Sequence, residues 1–171
     1  MKPLAADEKT AMVMLYTRDM LVRGEIVVKE NARVSIWPRM QGTSNYVHVL
    51  GPNVILLAGS SPKSISYPEM FIPMADLTAF HLAPPIEDPI DYDTSELNRM
   101  MLAVEGLLGS FVLKGKLRIS TQTDAATFLE ISHSSWVSVY DAEILNPSLP
   151  QFNMRLPMLL VNPRHVSFGI S

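Results

Sequence analysis

An internal repeat constrains this 171-residue chain more than any other feature, because a repeated unit fixes the architecture before any single element is assigned. The stretch Gly24-Glu25-Ile26-Val27-Val28-Lys29-Glu30-Asn31-Ala32-Arg33-Val34-Ser35 lies without a gap beside Gly109-Ser110-Phe111-Val112-Leu113-Lys114-Gly115-Lys116-Leu117-Arg118-Ile119-Ser120. Glycine, lysine, arginine and serine coincide, and apolar positions face apolar positions. Further along, Tyr46-Val47-His48-Val49 matches Phe128-Leu129-Glu130-Ile131, and Val54-Ile55-Leu56-Leu57 matches Trp136-Val137-Ser138-Val139. Met70-Phe71-Ile72-Pro73-Met74 returns as Met154-Arg155-Leu156-Pro157-Met158, and each copy closes on a short apolar segment, Leu77 to Leu82 or His165 to Ile170. The expected organisation is a first module over residues 1–83, an acidic proline-rich linker over 84–96 and a second module over 97–171. The linker holds three prolines, five acidic residues and no basic one, so the net charge of −3 originates in the connector.

Short segments rich in Val, Ile, Phe and Tyr, alternating apolar with polar, read as half-buried strands. In the first copy these are Arg23 to Val28, Asn45 to Leu50, Asn53 to Leu57 and Met70 to Met74. In the second they are Gly109 to Leu113, Thr127 to Ser132, Trp136 to Ile144 and Met154 to Val161. Pro73 and Pro157 each lack a backbone donor and point to an edge or a bulge. Met12 to Val22 has the form of a hairpin. Leu97, Met100, Met101, Val104 and Leu108 are spaced as a helix face, but the repeat favours strand there too. The fold class is therefore expected to be all-β: two tandem homologous small β-barrel modules of SH3-like character, from an internal duplication. Units of this size are marginal alone and need surface to pack against.

Several chemistries are excluded. The chain has no cysteine, hence no disulfide, thiolate metal site or cysteine nucleophile. No apolar run approaches the ~18 to 20 residues of a membrane helix. The start places Asp7 and Glu8 where a secretory signal has its apolar core, so a cytoplasmic protein is expected. No Gly-x-Ser-x-Gly elbow, Walker loop or dinucleotide-binding glycine pattern occurs. His48, His81, His133 and His165 match no histidine across the repeat and show no metal-ligand spacing, so they read as ordinary surface or strand-end residues. No catalytic residue, metal or cofactor is expected. The candidate ligand-binding residues are basic: Lys114, Lys116 and Arg118 alternate along one strand, Lys29 and Arg33 stand at aligned places, and Arg39 adjoins Trp37 and Pro38. Such stripes suit phosphate or an acidic partner, but equally a solvated face or a lysine-protected edge.

Arg33-Val34-Ser35 and Arg118-Ile119-Ser120, with Ile72-Pro73-Met74 and Leu156-Pro157-Met158, resemble a bacterial family of small duplicated β-domains of SH3-/Sm-like barrel character, in which no activity is established. The resemblance spans both copies and implies the fold, leaving function open. The expectation is a non-catalytic protein-interaction or assembly module, with a protein partner or itself in a homo-oligomer. The alternative is a binder of an anionic small molecule or nucleic acid through the basic stripes, nucleic acid being the less favoured partner.

Overall fold

A computed structural model describes residues 4–40, 42, 44–58, 61–84, 86, 88–133 and 135–170. Pro85 and Glu87 of the acidic connector lie outside the described residues. The chain divides into two compact units, Met1–Pro85 and Ile86–Ser171. The fold is all-β, with one α-helix among the described residues.

The first unit contains β1 (Glu8–Tyr16), β2 (Met20–Lys29), β3 (Tyr46–Leu56), β4 (Lys63–Ser66), β5 (Glu69–Pro73) and β6 (Ala79–Leu82). The expected hairpin is β1–β2, with Tyr16 opposite Leu21 and the Thr17 amide closing the turn onto the Met20 carbonyl at 2.9 Å. Antiparallel pairing runs β6-β1-β2-β3, and β3 then pairs with both β4 and β5. A 3-10 turn, Val34–Arg39, buries Val34, Ser35 and Pro38 and brings Trp37 to 6.1 Å from the Phe80 ring. The second unit contains β7 (Arg99–Leu108), β8 (Phe111–Ser120), α1 (Ala125–Ser132), β9 (Val137–Leu145), β10 (Met154–Val161) and β11 (Ser167–Ile170). Its order, β11-β7-β8-β9-β10, places the last strand beside the first, as in the other unit. Alternation is clear on β8, where Phe111, Leu113, Leu117 and Ile119 are buried while Lys114 and Lys116 face solvent.

Each unit bends at the same structural device. Between Arg23 and Glu25 the register on β3 advances from Asn53 to Leu50, and between Lys114 and Lys116 the register on β9 advances from Glu143 to Tyr140. The bulged strands accommodate the additional residue in left-handed backbone, at Gly51 (φ 54°) and Asp141 (φ 47°). The facing residue is glycine both times. A Cβ on Gly24 would stand 2.4 Å from Val49 Cγ1, and one on Gly115 would stand 2.5 Å from Val139 Cγ1. Pro157 falls opposite Asp141, where the ladder is interrupted and no donor is required.

These pairings correct several expectations. Asn45 to Leu50 and Asn53 to Leu57 are one bent strand, because Gly51-Pro52 forms the bulge rather than a hairpin turn. Thr127 to Ser132 is helical. Asp124 caps α1 by accepting the Thr127 amide at 2.8 Å, and the half-buried residues Ala125, Phe128, Leu129 and Ser132 follow helical spacing. Gly24 corresponds in place to Gly115, whereas Gly109 lies in the β7–β8 turn at φ 58°. The closed barrel is also replaced: among the described pairings none joins β6 to β4 or β5, or β11 to β10 within its own unit's ladder. Each unit is a bent, open sheet, since its last strand returns to the far side of its first.

Candidate functional site: a basic strand under an acidic strap

The last residues of the acidic connector pack on their own unit. Residues Asp91 to Glu96 cross the outward side of β8 and β9. Ser138 Oγ donates to Asp91 Oδ2 at 2.7 Å and the Tyr140 hydroxyl donates to Asp91 Oδ1 at 2.5 Å. Tyr92 stands edge-on to Tyr140, with centroids 4.9 Å apart, and the Arg118 guanidinium lies 4.4 Å from the Tyr92 ring centre. Arg118 donates to Glu96 Oε2 at 2.6 Å and to the Asp93 carbonyl at 2.9 Å, while Arg99 reaches the same Glu96 oxygen at 3.4 Å. The side chain of Arg118 is left 12% exposed. Its hydrogen bond holds the Glu96 carboxyl below the usual range, and the Ser95 amide does the same for Asp93. A shallow hollow of about 210 Å³ remains between the strap and β7, lined by Thr94, Glu96, Met100, Met101 and Arg118 among others.

The other basic candidates are dispersed, and most meet carboxylates. Lys114 faces Glu105 across β7–β8 at 3.4 Å, and Lys116 meets Asp141 at 2.8 Å, which raises the pKa of its ammonium. Lys29 ends β2 and bridges Asp7 at 2.9 Å. Arg33 donates to Ser35 Oγ at 3.2 Å beside the 3-10 turn, and Arg39 is exposed at the end of that turn. Lys29 and Arg33 therefore form no counterpart to the β8 stripe: Lys114 adjoins the bulge, whereas Lys29 is at the strand end. Trp37, beside Arg39, is half-buried and tilted against Phe80. A wider hollow of about 470 Å³ at the β9–β10 bulge carries Asp141, Glu143 and Arg155, the last two paired at 3.0 Å.

His81 departs from the expected surface placement. It is buried on β6, with Nδ1 2.6 Å from the Leu82 carbonyl and Nε2 3.1 Å from the Tyr16 hydroxyl. A carbonyl only accepts, so Nδ1 carries the proton and Nε2 accepts from Tyr16. Burial lowers the His81 pKa to about 4 and raises that of Tyr16. Among the described residues, no group of three or more His, Asp or Glu side chains is placed to hold a metal ion, and no helix is long and apolar enough to cross a membrane.

The strap residues Asp91, Tyr92 and Glu96, with Ser138 and Tyr140, are absent from the sequence candidates. The one signal in the sequence is charge complementarity between Glu96 and Arg118, since Lys114 and Lys116 meet Glu105 and Asp141 instead. No family model, curated protein or solved structure matches this chain.

Proposed function

We propose that the chain is a non-catalytic assembly module, made of two tandem SH3-like β units derived by duplication, that pairs with further copies of itself through a sheet edge. The duplication is supported by the common strand order, by glycine facing each bulge at Gly24 and Gly115, and by left-handed backbone at Gly51 and Asp141. Self-pairing is supported above all by β11. This strand pairs with β7 and, among the described pairings, with no other. Its four residues, Ser167-Phe168-Gly169-Ile170, include neither charge nor proline, two of the protections of an open edge, and shortness is the one protection it has. Ile170 sits opposite Val104 and is nevertheless 52% exposed. By contrast, β4 and β5 begin with Lys63 and Glu69, and β5 ends on Pro73.

The anion-binder reading has less support, because Lys29, Lys114, Lys116 and Arg118 each have a carboxylate partner within their own unit. The test is the mass of the native chain beside Gly169→Pro. Assembly through β11 predicts a multiple of the 19.0 kDa chain mass for the first and a monomer for the second. Equal masses, whichever they are, contradict it.

A further inference from the structure

The geometry points to a peptide-recognition site on the outward face of β8 and β9, at present filled by the chain's own connector and open to an acidic, tyrosine-bearing segment of a partner protein. The inference goes beyond the assembly reading, because it concerns a different surface from the β11 edge. The resident strap displays what the surface accepts. Ser138 and Tyr140 direct two hydroxyl donors at one carboxylate, Asp91. Arg118 supplies a guanidinium face to a tyrosine ring and a donor to a second carboxylate, Glu96. This set recognises a carboxylate, an adjacent aromatic ring and a second carboxylate a few residues on. A bare phosphate would leave the tyrosine contact unused.

The hydrogen bonds from β8 and β9 to Asp91 and Glu96 run between side chains, with one more from Arg118 to a strap carbonyl, and Asp91 to Glu96 form turns rather than a strand. It is covalently tethered and competes at high effective concentration. A free segment of similar chemistry therefore binds weakly until the strap is weakened, its apparent affinity scaling with the uncovered fraction.

The probe is a fluorescein-labelled synthetic peptide with the sequence of residues 88–98, titrated against the full chain and against the full chain carrying Asp91→Ala, Tyr92→Ala and Glu96→Ala. The expected result is at least tenfold tighter binding to the triple variant, abolished when Arg118→Glu is added. If the triple variant does not fold, Tyr92→Ala alone carries the same expectation at smaller amplitude. Equal binding to covered and uncovered chains overturns the inference, and so does uptake of a single-stranded oligonucleotide in preference to the peptide. A chain that assembles through β11 while its uncovered form ignores the peptide defeats this inference alone. One that takes the peptide but stays monomeric when native defeats the assembly reading alone.

Discussion

The Tyr140 hydroxyl donates to the Asp91 carboxylate at 2.5 Å, joining residues 49 positions apart in the chain. With the 2.7 Å bond from Ser138, this contact fixes the connector on the second unit. Removing the acceptor leaves two partly buried hydroxyls to find other partners. Asp91→Ala is expected to cost about 2 kcal/mol in urea denaturation, and Asp91→Asn, which retains an acceptor, about half as much. A loss below about 0.5 kcal/mol for Asp91→Ala would mean that the strap adds little to the fold.

His81 makes stability depend on pH in a defined window. Its pKa is about 4 in the fold, against the ordinary value of 6.5, so the unfolded chain binds the extra proton first. The contribution is complete above pH 6.5 and is lost as pH falls toward 4, reaching about 3 kcal/mol. The lowered carboxyls of Asp7, Asp93, Glu96 and Asp124 lose their contribution only further down, as pH falls through their own folded values. Urea midpoints measured between pH 7.5 and 4.5 should fall steeply in the native chain and much less in His81→Gln. Parallel curves would assign the slope to other groups.

The bulge glycines give a contrast in one residue type. Gly24→Ala and Gly115→Ala each place a Cβ against a buried valine methyl and within about 3 Å of backbone, and are expected to cost about 2 kcal/mol or more. At Gly169 the nearest atom to an added Cβ is 3.9 Å away, so Gly169→Ala should stay within about 0.5 kcal/mol. Thermal melts of the three variants check the order, and similar losses at Gly115 and Gly169 would contradict the tight approach at the bulge.

The strands were legible where alternation was clean. Gly109 to Leu113 reads as a strand and falls in β8, which runs on to Ser120; Leu97 to Leu108 has helical spacing and is nevertheless strand, as the repeat favours, and Met12 to Val22 makes the expected hairpin. The repeat was legible as a pattern but not in its register. Gly109 and Gly115 are both glycines on similar apolar backgrounds, and only the pairing of β8 with β9 reveals which one the bulge requires. The alignment of Phe128-Leu129-Glu130-Ile131 with Tyr46-Val47-His48-Val49 favours strand, although the Asp124 cap and the spacing from Ala125 to Ser132 belong to a helix. The strap was hidden for a different reason. Proline and acidic residues mark a connector equally well whether it is solvated or folded back on a basic strand, and the choice depends on Ser138 and Tyr140, more than forty residues away.

Self-assembly through the uncharged edge strand β11 is read out by sedimentation equilibrium of the native chain and Ile170→Lys over a range of concentrations. Ile170 is exposed, so a lysine there is compatible with the fold of the single chain and opposes pairing with a second copy. Assembly through β11 predicts a native mass at a multiple of 19.0 kDa that falls to the monomer in the variant. A native chain that remains monomeric across that range, or a variant that assembles as the native chain does, would contradict it.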